Sequence, residues 1–208
     1  MSLAGFRKPL LFLALIGPLG YLLYRVWRYS EGDANALGAD PGKEIVLFLG
    51  TSALLVLLAT LSVTPLQHML SVRLVPFRRM FGLFAFFYAS LHLTSYSVFL
   101  LELNPGELWA DVIKRPYITV GFLAFLAMIP LAITSTRGMQ RRLGPNWKRL
   151  HRLVYVIALL GIIHVIWQTR SDFTQPLLYS AALALLMSLR VIKSSRNRSV
   201  KQASIKGL

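Results

Sequence analysis

Long apolar stretches separated by short polar ones dominate this chain. Six runs, at about 9–24, 45–64, 80–101, 116–133, 150–168 and 176–192, approach or reach the roughly 17–25 residues that carry a helix across a bilayer. Strands half-buried in a soluble sheet would alternate with period two, and these runs do not. The pattern predicts an all-α membrane protein, a six-transmembrane helical bundle. The first run follows Arg7 and Lys8, as the core of a secretory signal would, and Ala34-Asn35-Ala36 has the small-x-small look of a cleavage site. Arg25, Arg28, Glu31 and Asp33 lie between that run and the site, so the run is expected to stay as a span. The spans and their short loops use most of the 208 residues, so a single transmembrane domain over 1–208 is expected, ending in a basic tail at 193–208.

Composition agrees and adds orientation. The chain is 55% hydrophobic, has a mean hydropathy of +0.58, and sets 23 Lys and Arg against 8 Asp and Glu. The basic residues sit at the ends of the apolar runs. Two precede the first run, three lie in 65–79, five in 134–149 and six from Arg190 onward, against three, two and one in 25–44, 102–115 and 168–175. Lys and Arg accumulate on cytoplasmic loops, so both termini are expected inside. The net charge of +15 is therefore a topology signal rather than a nucleic-acid surface, which would gather its basic residues on one soluble face with aromatics for stacking. Trp27, Trp147 and Trp167 fall near predicted helix ends, where interfacial anchors belong. With no cysteine, disulfides and thiolate-bound clusters are excluded.

The histidines carry the candidate chemistry. His92 lies 13 residues past Arg79 and His164 lies 15 past Arg149 on two spans running the same way. At about 1.5 Å per residue both are about 20 Å deep. His151 lies at the cytoplasmic rim, and His68 follows the second run on that side. A polar ring at bilayer depth needs a partner. That partner is either a neighbouring hydroxyl, such as Thr94, Ser95 or Tyr88, or one ligand shared between two rings. Zinc normally asks for three or four protein ligands, and no carboxylate or thiol lies at that depth. A b-type haem needs only axial histidines and apolar walls, and with both axial positions filled its chemistry is one-electron transfer. Arg78, Arg79, Arg141, Arg142 and Arg149 are placed to pair with propionates or a flavin phosphate, or simply mark topology. Positions 13 apart on an ideal helix differ by about 220° in azimuth, so His151 and His164 share a face only if the helix is distorted, with Gly161 as the candidate.

Four stretches, LGADPGKEI (37–45), RRMFGLFAFFYASLHLTSY (78–96), KRPYITVGFLAF (114–125) and AITSTRGMQRRLGPNWKRLHRLVY (132–155), resemble the MsrQ (YedZ) family. These proteins are haem-binding membrane subunits of the bacterial periplasmic methionine sulfoxide reductase system. The family sits within the ferric reductase and NADPH oxidase transmembrane superfamily. The resemblance spans about residues 37–192. It implies a ferric reductase-like bundle in the bacterial inner membrane that binds haem b and FMN and is not itself the catalytic enzyme. Electrons would come from the quinone pool or a cytosolic flavin reductase. They would pass to a periplasmic molybdopterin-dependent catalytic subunit (MsrP-like) that repairs oxidised proteins.

The family's haem histidines fall on His92, His151 and His164, with His92 and His164 as axial ligands of one iron and His151 near a possible second haem. Oxidase relatives carry two histidines on the third span, but the position fourteen before His92 is Arg78 here. His68, which is not part of the family pattern, is the alternative partner for His151. Without a nucleotide-binding domain the chain is expected to borrow its electrons. A transporter would place Asp, Glu or Arg within its spans. A ferric reductase delivering to external iron would favour acidic outer loops, and 25–44 and 102–115 each net only −1.

Overall fold

The computed structural model describes residues 3–70 and 74–206, and all its regular structure is helical. Nine α-helices follow one another among the described residues: α1 (Leu3–Ser30), α2 (Pro41–Leu70), α3 (Arg78–Phe99), α4 (Pro105–Lys114), α5 (Pro116–Ile133), α6 (Arg137–Leu143), α7 (Pro145–Leu150), α8 (Leu153–Gln168) and α9 (Thr174–Lys206). The six expected spans are α1, α2, α3, α5, α8 and α9. Proline opens α2, α4, α5 and α7, where its missing N–H and fixed φ are harmless. Side chains cap others: the Asn104 carboxamide accepts from Gly106 N and Glu107 N at α4, and Thr136 Oγ1 from Met139 N at α6.

Five of the six long helices are both long and apolar enough to cross a membrane. The sixth, α3, has the length at 22 residues but is not among them. It opens on Arg78 and Arg79 and carries Tyr88, Ser90, His92, Thr94, Ser95, Tyr96 and Ser97. Tyr88, His92 and Tyr96 bond groups on other helices, while the Ser90, Ser95 and Ser97 hydroxyls donate to carbonyls of α3 itself. α3 packs along α2 and also touches α5.

The bundle is built from two tight pairs, α2 with α3 and α5 with α8, joined where α3 meets α5 and where α2 reaches α8 and α9. Leu54, Leu57, Leu61, Ala85, Tyr88, Ile157 and Ala158 form its centre. Large apolar side chains cover the outside of α1, α5 and α9, including Leu10, Phe12, Leu123, Leu126, Leu177 and Leu178. In water such a surface would aggregate, whereas lipid tails solvate it.

Proline shapes α1 and a tyrosine repairs it. Pro18 lacks an N–H, and its ring crowds the carbonyl four residues back, which opens the helical ladder. The Tyr88 hydroxyl enters the gap, accepting from Leu19 N at 3.2 Å and donating to Leu15 O at 2.8 Å. These are the two groups that would bond each other in an unbroken helix. Tyr88, fully buried, thus fastens α1 to α3. At the opposite end Arg25 bonds Glu44 at 3.0 Å and Ala36 O at 2.8 Å, closing the loop between α1 and α2.

The distortion expected near Gly161 lies elsewhere. α8 is continuous through Gly161, which packs on Leu54. The chain breaks one residue pair past α7, at His151 and Arg152, before α8 begins. There the last N–H of α7 bonds back to its own turn, from His151 N to Trp147 O at 3.0 Å. His151, at the C-cap of α7, therefore lies outside the helix that carries His164, and their azimuths need not agree.

Candidate functional site

His92 on α3 and His164 on α8 face one another across the bundle. Their ring centres are 6.2 Å apart and their planes cross at 76°. Neither ring bonds a hydroxyl. His92 Nδ1 lies 2.8 Å from Val46 O on α2, and His164 Nδ1 lies 2.7 Å from Tyr117 O on α5. A carbonyl oxygen only accepts, so each Nδ1 carries the proton and each Nε2 keeps its lone pair. This is the arrangement in which histidine ligates a metal, one nitrogen anchored and the other free.

The spacing can be tested against a shared ion. Two metal–imidazole bonds of about 2.0–2.1 Å, with roughly 1.1 Å from each Nε2 to its ring centre, place two centroids about 6.3 Å apart. The observed 6.2 Å fits. Among the described residues no three His, Cys, Asp or Glu side chains come together to hold a metal. The pair therefore suits an ion that brings its other ligands with it, as a porphyrin iron does. Phe86 on α3 stacks on Phe125 of α5 at 5.7 Å, fixing the two helix pairs to each other more than a turn from this level.

A second cluster lies at the basic end. His151 stacks on Trp147 at 4.0 Å, with its Nδ1 3.1 Å from Trp147 O. Trp147 in turn donates Nε1–H to Thr134 O at 2.9 Å. Trp147 is thus tied into the protein and forms a platform for His151. Beside it Arg190 of α9 reaches inward, donating to the Tyr155 hydroxyl and to Leu61 O, with its guanidinium 5.1 Å from the Tyr155 ring centre. Arg190 Nε is buried without a protein partner. Arg78 lies close to both Arg190 and Tyr155.

Of Arg78, Arg79, Arg141, Arg142 and Arg149, only Arg78 joins this cluster. Arg79, Arg141, Arg142 and Arg149 are exposed. Arg190 was missed because it begins a basic tail, where a charge reads as topology. A hint lay in its position within the last turns of an apolar run, where a long side chain can fold back. His68 falls in the last turn of α2, and its side chain lies outside the described residues, as do the side chains of the 193–208 tail.

A third network covers the side of the histidine pair away from the basic end. The chain leaves α3 through Glu102 and Leu103, both in the left-handed region at φ 48° and 60°, and turns into α4. Asp111 of α4 then accepts a short hydrogen bond from the Tyr96 hydroxyl, one turn beyond His92. Its other oxygen pairs with Arg115 Nε at 3.0 Å. α4 buries Val112 and exposes Trp109 and Ile113.

A membrane bundle with two anchored imidazoles poised across its interior belongs to the class of membrane-embedded redox carriers. Residues 46–162 match the family described as ferric reductase like transmembrane component. Relatives from Xanthomonas euvesicatoria pv. vesicatoria and Xanthomonas axonopodis pv. citri are each 44% identical over 200 residues, covering 95% of this chain and 92% of theirs. One from Xanthomonas oryzae pv. oryzae is 44% identical over 195 residues, 93% of this chain and 89% of its own. All three are named protein-methionine-sulfoxide reductase heme-binding subunit MsrQ. The chain belongs to the MsrQ family within the ferric reductase-like transmembrane proteins. No solved structure matches it.

Proposed function

We propose that this chain carries electrons across the bacterial inner membrane through a b-type haem held between His92 and His164. It delivers them to a periplasmic molybdopterin-dependent, MsrP-like methionine sulfoxide reductase. The single observation that supports this most is the pair of rings 6.2 Å apart, each anchored at Nδ1. His92 and His164 would hold the haem, which when bound would supply reversible one-electron chemistry. The protein's part is to fix both rings through their Nδ1 atoms, to bury the group among helices, and to keep water from it.

Electrons arrive from the basic end, from the quinone pool or a cytosolic flavin reductase. Arg78, Arg190 and Tyr155 favour an anionic group there, such as the phosphate of FMN or a propionate, because two guanidiniums converge and, among the described residues, neither bonds a carboxylate. His151, stacked on Trp147, lies at the same level and serves the arriving electron or a second haem.

Optical spectra of the purified full chain, oxidised and reduced, with haem quantified per chain, test this. Parent protein is expected to show a low-spin haem. His92→Ala and His164→Ala should each lose most bound haem and electron delivery together. His151→Ala should retain that haem and slow only reduction from the inner side. A colourless parent, or a full low-spin spectrum in both the His92 and His164 variants, would overturn the reading.

A further inference from the structure

Both histidines are seated by the same device, used twice. His92 bonds Val46 O, and the residue four further along α2 is Gly50. His164 bonds Tyr117 O, and the residue four further along α5 is Gly121. A Cβ built on Gly50 would stand 2.9 Å from both Cε1 and Nδ1 of His92. One built on Gly121 would stand 2.7 Å from Nδ1 and 2.9 Å from Cε1 of His164. Real carbon–nitrogen contacts are not this close.

The physics of the helix explains why the glycine falls at that register. Within a helix the carbonyl of residue i already accepts from the N–H of residue i+4, and only its second lone pair is open. Every Cα–Cβ bond leans toward the helix N-terminus, so the side chain at i+4 covers the turn that holds this carbonyl. Glycine at i+4 uncovers it. An imidazole from the neighbouring helix can then lie flat on the bare backbone and donate Nδ1–H to the exposed oxygen.

We propose that Gly50 and Gly121 are positioning residues for the two haem-binding histidines, setting the tautomer, height and plane of each imidazole. The inference rests on the bis-histidine reading above. Each glycine acts through one hydrogen bond, and the two bonds together set the 76° crossing of the rings. Alanine at either position would push the ring off its carbonyl. The freed imidazole would lose a fixed tautomer and a partner that raises its basicity, both of which support ligation.

The test uses the full chain in detergent or nanodiscs as parent, Gly50→Ala, Gly121→Ala and Gly17→Ala. Gly17 has open space where a Cβ would go, so its variant controls for glycine replacement as such. Three quantities are read: haem retention against a scavenging apoprotein, midpoint potential, and the ferric electron paramagnetic resonance spectrum, which reports the angle between axial ring planes. Parent and Gly17→Ala should give the strongly anisotropic low-spin signal of near-perpendicular rings. Gly50→Ala and Gly121→Ala should release haem about 10–100-fold more readily, the usual loss when a metal ligand's outer partner is removed. Their potential should rise, and their spectrum should shift or split.

A parent with low-spin haem and alanine variants indistinguishable from it would overturn the positioning role while leaving the bis-histidine reading intact. A parent without low-spin haem would overturn that reading itself. Should the alanine variants fail to reach the membrane, the parent decides. A signal typical of parallel rings, or nitrogen-15 spectra of haem-free parent with Nδ1 unprotonated on both histidines, would also overturn the proposal.

Discussion

Tyr88 shows how much one hydroxyl can hold in this protein. It satisfies a donor and an acceptor that Pro18 separates, and it does so where no water reaches. Tyr88→Phe keeps the ring and strands both backbone groups, which costs about 1–3 kcal/mol for each buried group left unpaired. The variant is expected to melt earlier in detergent with an unchanged haem spectrum, because the ring packing around His92 is retained. Arg190 makes a comparable contribution at the basic end. Arg190→Gln removes its bonds to Tyr155 and Leu61 O together with a buried positive charge. Reduction by an inner-side donor should slow several-fold, while chemical reduction by dithionite keeps its parent rate. Equal slowing by both routes would place the effect at the haem instead.

Among the elements, α4 has the clearest division of labour. Asp111 bonds Tyr96 and Arg115 and so fastens α4 over the end of α3, one turn from His92. Glu107, Trp109 and Ile113 are exposed on the same short helix. A docking surface should be sought on the exposed residues and not on Asp111, whose loss would disturb the histidine level as well. Replacing Glu107, Trp109 and Ile113 together by alanine is expected to slow reduction of the periplasmic partner about tenfold or more with the haem spectrum unchanged. Unaltered transfer would place docking on another outer loop. Asp111→Asn should instead alter the spectrum or stability of the haem, since it weakens the clamp on α3. A 102–115 loop was legible in the sequence, and Asn104-Pro105 with Glu107 is an N-terminal signature that marks its helix. The break between α7 and α8 was not legible. Nothing between Trp147 and Leu153 is a strong helix breaker, and the interruption follows from Trp147 being drawn to Thr134 O and His151 being stacked upon it.

For the whole molecule, six crossings, as the apolar runs predict, would return both termini to the same side. A reporter fused after Leu208 should behave as cytoplasmic, and a periplasmic readout would invert the assignment of donor and acceptor faces. The sequence by itself determined the long apolar helices, and it predicted the spans, the orientation and a matched depth for His92 and His164, because apolar length, Lys and Arg placement and rise per residue are all properties of a linear chain. It also contained every residue of the site. Only the tertiary structure decided which groups meet. The carbonyls of Val46 and Tyr117 are identical to every other carbonyl in the sequence, and they become anchors because α2 and α5 lie beside α3 and α8 with glycine at the right register. Arg190 lies 129 residues from Leu61 and 35 from Tyr155, and joins them only because α9 packs against α2 and α8. Contacts of that kind depend on which helix faces which, and a pattern read along one chain carries no term for it.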